Sequence, residues 1–358
     1  MRNSNNLQLA FLGKLLAMAF LGTTIGNNLS TPGFAQGTAD NRSNAVNSVS
    51  KNRTLRRIRV GSQPDAIVVS PDSRLVYVAN WDSDTVSVIS AEWKTVVSTI
   101  PVGACPTSVA VSTDGRTLYV ANYCDNTVSV IDTKYQQVVA TVSVGNSPNW
   151  VAVSPGAANS QIYVANEGDG TVSVIDSVTN QVTGDPIAVG GLPQALLFTP
   201  NGSSAYLVSD YAPPNDLVLI DVASQTFTHV GDPQITEKGL SILPDGSTLY
   251  AINLESDSVL VLDCASEQVV QEIPAPRYVN LNTTAISPDG KNLYVAGTNE
   301  LKSGGEIWIV DTTKNAFVGK WASFPEGSNA IAIAPNGRAL YTTELGRGTV
   351  TIIPLDAQ

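Results

Sequence analysis

One histidine and three cysteines limit the chemistry open to this sequence. His229 falls in a segment that reads as an outer β-strand, so a Ser-His-Asp or Cys-His arrangement has no base near a cleft. There is no phosphate-cradling glycine loop, no dinucleotide fingerprint, no His-rich metal motif and no C-x-x-C-H haem site. Acids are plentiful, with 31 Asp and Glu against 20 Lys and Arg for a net charge of −11. Many stand at one kind of turn: Asp82, Asp84, Asp125, Glu167, Asp169, Asp210, Asp216, Glu255, Asp257, Glu300, Glu306 and Glu344. Such a set can hold a cation or meet a cationic partner. It can equally be hairpin capping, since Asp and Asn favour tight turns and no loop has calcium-loop spacing.

What positions these residues is a repeat. The stretch L-Y-V-A-N-Y-C-D-N-T-V-S-V-I-D (118–132) reads as two β-branched strands about an Asn/Asp turn, and it recurs around Tyr77 and Tyr163. Weaker copies surround Tyr206, Tyr250, Tyr294 and Tyr341, giving spacings of 42, 44, 43, 44, 44 and 47 residues. A period in the forties built from strands alone is the signature of a propeller blade. The fold class expected is all-β: a seven-bladed β-propeller of four-stranded antiparallel blades, strands a to d from the axis outward. Pro-Asp-Gly turns join a to b, and V-G-x-x-P linkers such as Gly61 to Pro64 open the next blade. The seventh a-b-c unit ends at Pro354, and T-L-R-R-I-R-V-G (54–61) aligns with the fourth strands elsewhere. It is expected to close the ring as the outer strand of the last blade, covering an otherwise open edge.

In such a ring the d–a and b–c loops share one face, and three sets of candidate residues fall there. Aligned starts of the strands a give Asp65, Thr107, Asn149, Gln194, Lys238, Asn282 and Asn329, all polar, around the channel mouth above apolar positions such as Ile67 and Val69. That ring can be a small-ligand or ion site, a divalent cation included, or it can cap strand ends; the sequence leaves both open. Blades four to six carry long loops, read over Ser209–Asp216, Gly231–Lys238, Pro274–Asn282 and Gly297–Glu306, and Tyr211, Arg277 and Tyr278 form a candidate partner-binding patch, aromatics and Arg being the usual anchors. Cys105 opens blade two and Cys124 lies in its b–c loop, so a disulfide between them is expected. Cys264, on the opposite face, is left unpaired. No resident cofactor is expected, and no metal-ligand set is assigned.

The motifs Tyr77-Val78-Ala79-Asn80, Tyr119-Val120-Ala121-Asn122 and Tyr163-Val164-Ala165-Asn166 resemble the YVTN β-propeller repeat of secreted and cell-surface bacterial and archaeal proteins. The resemblance spans about residues 54–356 and weakens in blades four to seven. It implies a binding protein more than an enzyme. Alternatives carried by propeller relatives are a periplasmic lactonase-type or oxidoreductase-associated enzyme using a channel metal, and a single-stranded DNA-binding propeller.

The first residues have the layout of a secretory signal: Arg2 and Lys14, an apolar run from Leu15 to Ile25, and G-F-A at 33–35. Cleavage is expected after Ala35, followed by a disordered spacer over 36–52 and the propeller over 53–358. Without residues 1–35, which hold Arg2 and Lys14 and no acid, the balance falls to −13. That charge disfavours nucleic acid. The expected protein is a monomer without a transmembrane segment, secreted, periplasmic or on the cell surface. It binds a protein, glycan or small ligand on the d–a/b–c face without catalysis.

Overall fold

The computed structural model describes residues 55–355 apart from 157–159, 211–216, 231–238, 254–255 and 302–303. It is a seven-bladed β-propeller of antiparallel blades. Blade 1 runs Pro64–Val69, Leu75–Asn80, Thr85–Ser90 and Thr95–Pro101, paired in that order. The other blades repeat the pattern. In blade 3 the outer strand is broken into Gln181–Val182 and Ile187–Ala188, both paired to the third strand. Gly184, Asp185 and Pro186 interrupt it there. No helix among the described residues is long and apolar enough to cross a membrane.

The repeat Tyr is buried because it staples one blade to the next. Tyr77, Tyr119, Tyr163, Tyr206, Tyr250, Tyr294 and Tyr341 are all at most 2% exposed. The hydroxyl of Tyr250 donates to Asn315 Oδ1 at 2.8 Å, in the c–d turn of the following blade. Apolar packing follows the same plan. Tyr77, Val86 and Ile100 of blade 1 meet Val109, Leu118 and Ile131 of blade 2, and each of the seven interfaces has its own cluster. Ile67 and Val69 belong to the cluster between blades 7 and 1, so they face a neighbouring blade and not a central barrel.

The repeat Asn locks the b–c hairpin. Asn80 Nδ2 donates to Thr85 Oγ1 at 3.1 Å and Ser87 Oγ at 3.0 Å, and its Oδ1 accepts from Gly61 N–H at 3.1 Å. Asn122 and Asn166 make the same Thr and Ser bonds. A Cβ on Gly61 would lie 2.6 Å from the Asn80 side chain, which is why the linker carries glycine there.

In blade 7, Arg56–Arg59 pairs antiparallel with Thr349–Pro354, Ile58 opposite Val350. Ile58 is buried against blade 1. The Asn position is taken by Glu344, wholly buried, which accepts from Arg57 Nε at 3.2 Å and from the Thr351 hydroxyl. The first described strand is thereby tied to the last.

Cys105 and Cys124 are joined, with Cα atoms 5.4 Å apart, and Cys264 is free. The same slot in blade 1 holds Gln63 and Asp82, linked by a 2.5 Å hydrogen bond. Around the disulfide, Tyr123 N–H donates to Cys105 O, Cys124 N–H to Ala104 O, and Ala104 N–H to Asp125 Oδ2. The folded loops are thus held without the sulfur bond, whose contribution lies mainly in restricting the unfolded chain, about 3 kcal/mol for a loop of this size. Thiol titration of the denatured, unreduced protein is expected to find one thiol per chain. Reduction should lower the denaturation midpoint while leaving the native circular dichroism unchanged; three thiols would refute the bond.

Candidate functional site

Six of the seven residues expected at a channel mouth share a backbone feature that sequence alignment does not show. Asp65, Thr107, Asn149, Gln194 and Asn282 are each the extra residue of a β-bulge at the start of strand a, and Asn329 lies in the corresponding irregularity of blade 7. A bulge turns its side chain out of the normal alternation. Here the side chains turn toward the next blade. Thr107 Oγ1 donates to Pro148 O at 3.1 Å and Asn149 Nδ2 to Gln194 Oε1 at 2.6 Å. Asn282 Nδ2 donates to Ser328 O, and Asn329 Nδ2 to Asp65 Oδ1 at 2.5 Å. The result, among the described residues, is a partial belt across four of the seven blade interfaces, in which Thr107, Asn149 and Gln194 are buried. Lys238 lies outside the described residues.

Most acids of the same face are also engaged. Asp84 Oδ1 accepts from Cys105 N–H at 2.8 Å, Asp125 Oδ2 from Ala104 N–H at 2.7 Å, and Asp169 Oδ2 from Asn146 N–H at 2.6 Å. These carboxylates join b–c turns to d–a linkers, as hairpin capping requires. Among the described residues no three His, Cys, Asp or Glu side chains gather as a metal set. Asp216 and Glu255 lie outside the described residues, as does Tyr211.

Blade 6 is different. Its first two strands, Val279–Ile286 and Asn292–Asn299, are eight residues each, against six in blade 1. Two further residues raise a strand by roughly 6–7 Å. The segment 297–306, read from sequence as a loop, is therefore largely strand, because Gly297 ends the Y-V-A-N pattern without ending the pairing. Beside this tall hairpin, facing blade 5, lies a cleft of about 210 Å³ lined by Ser256, Asp257, Pro274, Arg277, Tyr278, Val279 and Glu300, among others. Arg277 and Tyr278 are exposed, and Tyr278 has φ of 64°. It occupies the left-handed slot that holds Gln63, Cys105 and Ser147 in blades 1 to 3. Glu300 N–H donates to Tyr278 O at 3.0 Å, fixing it there. Burial, and then the negative charge of Glu300, push the Asp257 carboxyl above the usual carboxylate range.

A second feature was not anticipated from sequence. Glu306, 3% exposed, accepts from Trp308 Nε1 at 3.0 Å, Lys320 Nζ at 3.0 Å and Asn299 Nδ2 at 3.3 Å. A cleft of about 170 Å³ opens beside it. The signal was present as a departure from the repeat: Thr85, Ser87 and Thr99 of blade 1 become Glu306, Trp308 and Lys320 in blade 6.

Comparison with known proteins supports the architecture. Residues 46–150 match the family model described as Cytochrome D1 heme domain. Antigen Lp49 of Leptospira interrogans (serogroup Icterohaemorrhagiae serovar copenhageni, strain Fiocruz L1-130) is 24% identical over 169 residues, 43% of this chain and 36% of the relative. The chain thus spans about a third of that relative's length. Among solved structures, hydrazine synthase of Kuenenia stuttgartiensis superposes with a TM-score of 0.69 at 20% identity. It covers 91% of this chain and 100% of that one. The β-propeller domain of Cps50 (Swd1) from Myceliophteria thermophila gives 0.69 at 16% identity, covering 85% and 99%. At these identities the structures speak for the fold alone.

The haem named by the family model does not fit the side chains present. Axial haem ligands are His, Met, Cys thiolate or Tyr. Residues 46–150 contain no His or Met, and Cys105 and Cys124 are bonded to each other. Tyr77 and Tyr119 are buried between blades, Tyr123 is packed on Trp81 with ring centroids 5.5 Å apart, and Tyr135 is exposed beside a turn. His229 lies on the outer strand of blade 4 against Phe227.

Proposed function

We propose that this chain is an extracytoplasmic, non-enzymatic binding module of YVTN type. Its d–a/b–c face takes a protein partner at the cleft between blades 5 and 6. The observation that carries this reading is Arg277 with Tyr278, held exposed on a linker next to Asp257 and Glu300. Among the described residues, the Arg277 guanidinium has no hydrogen bond or ion pair. Arg and Tyr are the side chains that most often anchor protein interfaces, and a fixed backbone lowers the ordering cost of binding. The Cys105–Cys124 bond supports an oxidising compartment. The Leptospira relative, named an antigen, agrees with that setting.

The match of residues 46–150 to the model described as Cytochrome D1 heme domain favours a second reading: a subunit that accompanies an oxidoreductase without holding its redox group. The role would again be docking, so one experiment addresses both. An array of peptides with varied charge and aromatic content is probed with the full chain and with the Arg277→Ala/Tyr278→Ala variant. Wild-type binding is expected to weaken tenfold or more in the variant at an unchanged melting temperature. Equal binding by the two proteins, or no binding by the wild type, would overturn the assignment of this cleft.

A further inference from the structure

The second cleft of blade 6 lies on the other side of the tall hairpin and plays no part in the reading above. It is lined by Asn299, Gly305, Glu306, Lys320, Ser323 and Phe324, with others. Three positions that hold small hydroxyl residues in blades 1 and 2 have changed together here, to Glu306, Trp308 and Lys320. They contact one another: Lys320 Nζ reaches Glu306 and also sits 5.8 Å from the centre of the Trp308 ring. Gly305 lets the Phe324 ring close against the backbone at the cleft wall, since a Cβ there would stand 1.9 Å from that ring.

The charges define what such a cleft accepts. Lys320 neutralises Glu306, so an anion meets a carboxylate behind the ammonium, and a cation meets the ammonium first. Neither gains. Hydrogen-bonding capacity does remain. An ammonium has three donors, of which Lys320 uses one on Glu306, and a carboxylate oxygen accepts more than the single indole N–H that reaches Oε2. A hydroxyl can donate to one group and accept from the other. The exposed Ser323 at the rim adds a group of the same kind. The volume, about 170 Å³, is below the ~300–1,000 Å³ of sites for drug-sized ligands, and suits a single ring. We propose that this cleft binds a neutral, hydroxyl-rich ligand: one sugar ring of a saccharide.

The full chain would be titrated with a panel of neutral mono- and disaccharides, and separately with acetate and ethylammonium, followed by ligand-observed NMR. At least one saccharide is expected to bind saturably, with affinity falling tenfold or more in Lys320→Met and in Glu306→Gln. Ser323→Ala, on the exposed rim where folding is not at stake, should cost about threefold. Arg277→Ala/Tyr278→Ala should leave saccharide affinity unchanged, which separates this site from the protein-binding cleft. The proposal is overturned if no saccharide binds saturably, or if acetate or ethylammonium outcompetes every sugar. It is overturned equally if binding persists unaltered in the three single variants.

Discussion

Deletion of residues 54–61 is expected to lower the melting temperature by about 10 °C or more and to make the protein prone to self-association. The deletion removes Ile58 from the interface between blades 7 and 1 and strips the third strand of blade 7 of its outer partner. It also takes Arg57 from Glu344, a wholly buried carboxylate. Uncovering an Ile costs roughly 1.5–3 kcal/mol, and without Arg57, itself partly exposed, the buried Glu344 keeps only the Thr351 hydroxyl as a partner among the described residues. The Oε2 atom of Glu344 already has no hydrogen-bond partner among the described residues. Blade 1 satisfies the equivalent oxygen with the Gly61 N–H, whereas blade 7 has Pro325 at that place, and proline has no N–H. Deletion of 36–50 serves as the control and should change nothing. A 54–61 deletion that melts with the intact chain would dismiss ring closure as a source of stability.

Alkaline pH should unfold the propeller abruptly, and phenol ionisation is the reason. Burial pushes Tyr77, Tyr163 and Tyr250 up to about 12, with nearby carboxylates adding to the effect. Burial raises Tyr206 further, and also raises Tyr119 and Tyr341. An unfolded tyrosine titrates near 10. Between about pH 10 and 12 the unfolded chain loses these protons while the folded one keeps them, so stability falls as pH rises through that window. It is fully present below pH 10. Two pH units on each of three tyrosines amount to roughly 8 kcal/mol, comparable to the whole stability of many domains. Circular dichroism and absorbance at 295 nm, followed together, should show structure lost and phenolate gained in one cooperative step. Independent titration of the phenols near pH 10 with the fold intact would contradict the stapling role.

Much of the fold was legible because the blades repeat their chemistry. The Tyr spacing gives the blade count, and Cys105 and Cys124 fall on two loops that any such blade brings together. The polar residues at the starts of the strands a were legible as a set, but their partners in the neighbouring blades were not. Each belt bond depends on a bulge, and a bulge is a property of pairing register, invisible in a single strand's composition. The blade 6 cluster stayed hidden for a related reason. Glu306 and Lys320 meet only through the pairing of Trp308 with Lys320, and Gly297 disguised lengthened strands as a loop. Reading each blade position by position against the others, for coordinated loss of the small hydroxyl residues, would have exposed it.

The belt of bulged side chains also acts as a gauge. A Thr hydroxyl or an Asn amide reaches only one short span, so each bond fixes how far one blade can swing about the axis from its neighbour. Among the described residues, four of the seven blade pairs carry such a bond, and there the spacing is matched to the length of one side chain. Duplicating a repeat would change the angle between neighbouring blades and so strain these four bonds together.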